Sequence, residues 1–169
     1  MYKIIYLFLI IICMTTHANA KDTANPFLGT WQLVSVTRDT VPPSKTINSF
    51  GDQPSGFLNY TDDGRMMVII VQKERPIPQD KIANDTEALA LYRTFNSYAG
   101  TYTIKDDHII HHIDISWNQK WTGTDQIRYY QFVEDRLILS LPTTKVDDKI
   151  VVDSLTWEKF SPSIAPENL

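Results

Sequence analysis

The chain has 169 residues, with 16 Lys and Arg against 20 Asp and Glu, and a single cysteine. A net charge of −4 with no basic run argues against a nucleic-acid partner, because neutralising phosphates takes clustered cations. The length suffices for one hydrophobic core, which must supply the stability, since Cys13 has no second cysteine to pair with.

In chain order, the first element is a leader. Lys3 gives a positive start, residues 4–14 are apolar apart from Tyr6, and Ala18-Asn19-Ala20 is a small-residue cleavage site. These are the three parts of a secretory signal, so residues 1–20 are expected to be a signal peptide and the protein to be exported, periplasmic or secreted, beginning at Lys21. An uncleaved anchor is the alternative, but a membrane-spanning helix needs roughly 20 apolar residues. Cys13 follows Ile10-Ile11-Ile12 rather than the small residues of a lipid-attachment site, and it leaves with the leader. Cleavage also removes Lys3, leaving 15 basic residues against 20 acidic. No later segment has the composition of an integral membrane span.

Short alternating segments follow, separated by turn residues, the pattern of an all-β barrel or sandwich. Strands are expected over 29–37, 56–61 and 66–71, the last two joined by a hairpin turn at Asp62-Asp63-Gly64-Arg65. Asn84 and Glu87 have capping-box spacing, and Ala88, Leu91, Tyr92 and Phe95 recur on one helical face, which predicts a helix over about 86–97 ended by Gly100. Further strands are expected over 100–104, 108–116, 126–133, 136–141 and about 150–160, with Trp121 in the loop at 118–125. The domain would thus cover 21–160, with a polar tail over 161–169. Eight antiparallel up-and-down strands, with one helix inserted between strands three and four, close into a barrel wide enough for one small ligand; an open two-sheet sandwich competes.

A series of motifs runs through this pattern: Leu28-Gly29-Thr30-Trp31, then Gly56 to Met66, Gly100-Thr101-Tyr102, His111-His112-Ile113, Trp121 to Tyr129, and Leu155-Thr156-Trp157-Glu158. In these the chain resembles the lipocalin-like domain family of small bacterial and fungal proteins. The resemblance implies a lipocalin-like barrel with a small-molecule cavity and no particular reaction. The chain differs from transport lipocalins in the place of its helix and in lacking a cysteine pair.

The resemblance also implies that Trp31 points inward, and alternation then carries Leu33 and Ser35 with it. By the same family pattern Leu58 and Tyr60 face in from the second strand, Met66, Val68 and Ile70 from the third, and Tyr102 and Ile104 from the fourth. On the fifth strand Ile109, His111, Ile113 and Ile115 form the apolar face. Hydrophobicity does not choose a face for the sixth, but the family motif runs through Gln126 and Arg128. An inward Arg128 needs a partner, because an isolated buried charge is costly; otherwise it sits at the mouth and reaches solvent.

The expected ligand-binding set is therefore Trp31, Leu33, Leu58, Tyr60, Met66, Val68, Tyr102, His111, Trp121, Gln126 and Arg128. The expected function is binding of a small, partly apolar molecule, which an inward Arg128 would make anionic. The alternative is a cofactor-independent isomerase, cyclase or dehydratase, with His111 as acid/base and Arg128 stabilising negative charge. A filled barrel serving as a partner-binding module is a third class. No metal is expected: His108 and His112 share a face but lie about 13 Å apart, at about 3.3 Å per residue, and His111 faces the other way. No Gly-x-Ser-x-Gly and no phosphate-cradling glycine loop occur, and no cofactor is expected.

Overall fold

The structure, a computed structural model, describes residues 25–161. The expected leader over 1–20 and the tail beyond Ser161 lie outside the described residues. The alternating segments form strands β1 (Gly29–Val41), β2 (Lys45–Asn48), β3 (Ser55–Tyr60), β4 (Arg65–Val71), β5 (Phe95–Ile104), β6 (His108–Ser116), β7 (Asp125–Val133), β8 (Arg136–Ser140), β9 (Thr144–Val146) and β10 (Lys149–Lys159). One helix, α1 (Asp85–Arg93), stands among them.

β1 pairs with β3 over residues 29–32 and with β10 over residues 31–41. Eight antiparallel strands, β1, β3 to β8 and β10, thereby close on themselves, and closure leaves the wall without free edges. This is a barrel and not an open sandwich. The short β2 and β9 extend β1 and β10. Gly64, at φ +82°, makes the tight β3–β4 turn. Because β2 enters the count, α1 follows β4 in chain order.

The helix is shorter than its periodicity suggests. Its capping box is present: the Asn84 side chain accepts from the Glu87 N–H at 3.1 Å, and the Glu87 carboxylate accepts from the Asn84 N–H at 3.0 Å. It stops at Arg93, however, and Phe95 to Thr101 pair with β4 in register from Val71 to Arg65. No residue of α1 is buried, so its apolar repeat is not a core stripe. Pairing with β4 satisfies the backbone and carries the Tyr98 side chain into the core. Gly100 is an interior residue of β5: a Cβ there would stand 1.8 Å from the His112 carbonyl oxygen.

Two bulges shift the alternation. The register of β1 against β10 slips between Leu33 and Ser35, so Ser35 leaves the interior face and Val36 becomes buried. In β6, Gly100 faces Ile113 and Ala99 faces Ile115, leaving Asp114 extra; Ile115 is turned outward and is 65% exposed. Ile104, at the end of β5, is also exposed. One end of the barrel is plugged by Phe27, whose ring meets Tyr60, Tyr130 and Phe132 edge-on at centroid distances of 5.6, 4.9 and 5.1 Å. Among the described residues no helix is long and apolar enough to cross a membrane.

Candidate functional site

Beyond the plug, the interior holds a cavity of about 260 Å³. That is near the lower end of small-molecule pockets, about 300–1,000 Å³. Its apolar wall comes from alternate residues of the strands: Val36, Leu58, Val68, Ile70, Leu139 and Leu155. Its more exposed side carries Arg38, Ser49, Phe50, Leu141 and Asp153. Polar atoms are supplied by Asn96, Tyr98, His111, Arg128 and Trp157.

Of the residues expected to bind a ligand, Leu58, Val68, His111, Trp121 and Arg128 line this cavity. The others stand elsewhere. Trp31, Leu33 and Met66 are buried in packing outside it, with the Trp31 indole donating to the Phe27 carbonyl at 2.7 Å. Tyr102 lies edge-on to Tyr60; its hydroxyl donates to the Thr61 carbonyl at 2.9 Å and accepts from the Asn25 amide at 3.1 Å. Gln126 donates to the Thr124 hydroxyl at 3.1 Å and does not line the cavity. For Trp31, Tyr60 and Tyr102 the segment preceding β1 accounts for this: Phe27 and Asn25 pack or hydrogen-bond against them and fill that end of the barrel.

His111 is the centre of a buried chain of three side chains. The Tyr60 hydroxyl lies 2.7 Å from Nε2 and the Tyr98 hydroxyl 3.1 Å from Nδ1. Burial, reinforced by the positive charge of Arg128 and then by His112, holds the His111 pKa well below its usual range, so the ring is neutral. Burial likewise pushes the Tyr60 hydroxyl well above the usual tyrosine value, so it keeps its proton. Tyr60 has no other side-chain partner among the described residues and therefore donates to Nε2. The ring proton then sits on Nδ1 and goes to the Tyr98 oxygen, leaving the Tyr98 hydroxyl hydrogen for the cavity that this residue lines. Both nitrogens of His111 are hydrogen-bonded to tyrosine hydroxyls, so neither is presented directly to the cavity.

Arg128 points inward and is 5% exposed. Its one hydrogen bond among the described residues runs from Nη1 to the Ile127 carbonyl at 2.8 Å. Asp153, the cavity's carboxylate, is held by Arg38 through two hydrogen bonds of 2.8 Å each, and Asp114 pairs with Arg65 on the outer surface. With His111 neutral, two guanidinium groups and one carboxylate leave the cavity wall with a net positive charge. Asn96 and Trp157 also border the cavity, but Asn96 Oδ1 and Trp157 Nε1 are fully enclosed and have no partner among the described residues.

Trp121 borders the cavity through an aromatic stack. Its ring lies 5.5 Å from Trp117 and meets Tyr98 edge-on at 5.6 Å. Tyr92 of α1 stacks on the far side of this group, 5.2 Å from Trp117. The helix aromatic is thus a packing contact. No group of three His, Cys, Asp or Glu is placed to hold a metal among the described residues.

A family model described as lipocalin-like domain matches residues 28–160. The chain belongs to that family. The lipocalin-like match covers the whole closed wall of the barrel, including the strands that carry Tyr98, Arg128 and Trp157. Among curated proteins, none matches the chain. A lipocalin-like barrel suggests small-molecule binding, and the polar groups described above bear on which molecule.

Several cavity residues escape the sequence pattern. Arg38 and Val36 face inward only because of the β1 bulge, and Tyr98 is masked by the helical periodicity around it. Asp153, Leu155 and Trp157 carried a readable signal: with Val151 they alternate along β10, two apart, like any half-buried strand.

Proposed function

We propose that this protein is exported and holds one small, partly apolar acid in its barrel. The observation that carries the reading is Arg128, a buried guanidinium with one carbonyl partner and no carboxylate among the described residues. A buried charge left in that state is costly, and a ligand carboxylate would accept two parallel hydrogen bonds from the guanidinium fork. The hydrogen of the Tyr98 hydroxyl adds a donor, while the aliphatic wall suits a hydrocarbon body.

The test is a titration of the purified protein with decanoic acid and with its methyl ester, followed by tryptophan fluorescence, since Trp121 and Trp157 both line the cavity. The acid should bind and the ester should bind much more weakly. Equal binding of the two would remove the role given to Arg128. For export, motivated by Lys3, the apolar residues 4–14 and Ala18-Asn19-Ala20, the expressed chain should be recovered outside the cytoplasm beginning at Lys21. An intact N-terminus in the cytosolic fraction would overturn that part.

A further inference from the structure

A second group of polar side chains lies on the outside of the barrel, on the other face of the strand that carries His111. There His112 joins Thr103 of β5 to Asp125 of β7. Its Nδ1 lies 2.6 Å from Asp125 Oδ1, and its Nε2 lies 2.9 Å from the Thr103 hydroxyl. A carboxylate only accepts, so the ring proton sits on Nδ1, and in the neutral ring Nε2 accepts from Thr103. Hydroxyl, imidazole and carboxylate thus stand in the order, and at the distances, of a nucleophile, its general base and the group that orients the base. Such a constellation is recognised by geometry, so the absence of Gly-x-Ser-x-Gly does not bear on it. Three neighbouring strands hold it, which places it more firmly than loops would. The group is open to solvent: the His112 side chain is 37% exposed and that of Asp125 61%. None of the three residues lines the cavity. Ile110 and Ile127, paired in register on the same outer face, flank the group with apolar surface.

We propose that Thr103 is an acyl-accepting nucleophile, with His112 as its base and Asp125 as the residue that positions His112. The substrate is an activated ester carrying an apolar group. In the step, the Thr103 oxygen bonds to the acyl carbon as the bond from that carbon to the leaving oxygen breaks. The Thr103 proton goes to His112 Nε2 and from there to the leaving oxygen. A phenol or alcohol departs, and Thr103 keeps the acyl group as its own ester. An open face gives a substrate little binding energy to spend on the reacting bond, so the substrate must bring a good leaving group. That favours aryl esters over amides. The site is independent of the cavity and of the acid proposed to fill it.

The experiment treats the full protein with p-nitrophenyl acetate at neutral pH, quenches with acid, and locates the acetyl group by peptide mass spectrometry. Thr103 should carry it, while Thr101, on the same strand and face, should not. His112→Asn should slow the labelling of Thr103 by about a hundredfold, the low end of what a positioned base contributes. Asp125→Asn should slow it as well, and Asp125→Glu, which keeps the carboxylate, should recover part of the rate. Thr103→Ser should still be labelled. His108→Asn serves as the control: His108 is paired with Asp107 but has no hydroxyl on its other nitrogen among the described residues, so labelling of Thr103 should be unchanged. Circular dichroism checks that each variant folds, and the position of the label in the wild-type protein needs no variant at all. Acetyl groups on lysines or histidines alone, or labelling of Thr103 that survives His112→Asn, would overturn the proposal.

Discussion

Replacing Arg128 with Met tests the charge argument on two quantities at once. In the wild-type protein the guanidinium is 5% exposed and spends one donor on the Ile127 carbonyl, so most of its five N–H groups are free for a ligand. A carboxylate bound by the fork gains two charge-assisted hydrogen bonds, each about 1.5–3 kcal/mol. Losing both costs about 3–6 kcal/mol, and at about 1.4 kcal/mol per tenfold the affinity for decanoic acid should fall at least about a hundredfold. The methyl ester, which cannot pair with the charge, should bind as before. Stability should move the other way. Swapping a buried charge for an apolar side chain of similar volume is often worth about 1–4 kcal/mol, so the ligand-free variant should melt several degrees higher. Calorimetric titration reads the first quantity and scanning calorimetry the second. Arg128→Lys should recover only part of the acid affinity, because the planar fork is lost. Equal loss of acid and ester binding, or a variant that melts lower than wild type, would refute the reasoning.

Three further outcomes follow from the geometry. Since burial holds the His111 pKa well below its unfolded value, the folded protein resists taking up a proton that the unfolded chain accepts below about pH 6.5. The stability from keeping this ring neutral is therefore full above about pH 6.5 and is lost as pH falls below it, by up to about 1.4 kcal/mol per unit. Denaturant titrations at pH 7.5 and 5 should show that loss, and His111→Gln should reduce the slope. Gly100→Ala forces a Cβ against the His112 carbonyl and should cost at least about 1–3 kcal/mol of unfolding free energy; an unchanged denaturation midpoint would mean that β5 and β6 are not packed as described. Asn84→Ala removes the cap of a helix with no buried residue, at a local cost of about 0.5–2 kcal/mol. Hydrogen exchange should quicken in α1 and stay unchanged in the strands.

The strands were legible because one face of each is buried, which writes a period of two into the sequence. Met66, Val68 and Ile70 on β4 and Ile109, His111 and Ile113 on β6 show it plainly, and the structure buries all six. What the pattern could not carry were features made by pairs of distant segments. The β1 bulge is a mismatch between Leu33–Ser35 and β10, and nothing local to those residues marks it; yet it decides that Arg38 reaches the cavity. The plug is another such case. Phe27 is an ordinary apolar residue in sequence, and only its contacts with Tyr60, Tyr130 and Phe132, and its carbonyl's bond from the Trp31 indole, show that it fills the end of the barrel where Trp31 and Tyr60 stand. Around Tyr98 two local signals conflicted, and pairing with β4 prevailed over helical spacing. Arg128 needed the family motif, because Gln126-Ile127-Arg128-Tyr129-Tyr130 offers no apolar face to choose by.

The central claim is that an acid enters the barrel and places its carboxylate on Arg128. A crystal structure of the protein with decanoic acid tests it most directly. The account predicts carboxylate oxygens about 2.7–2.9 Å from the Arg128 guanidinium, with the hydrocarbon chain along Leu58, Val68 and Leu155. An empty cavity, or an acid turned round with its carboxylate beside Arg38, would contradict it.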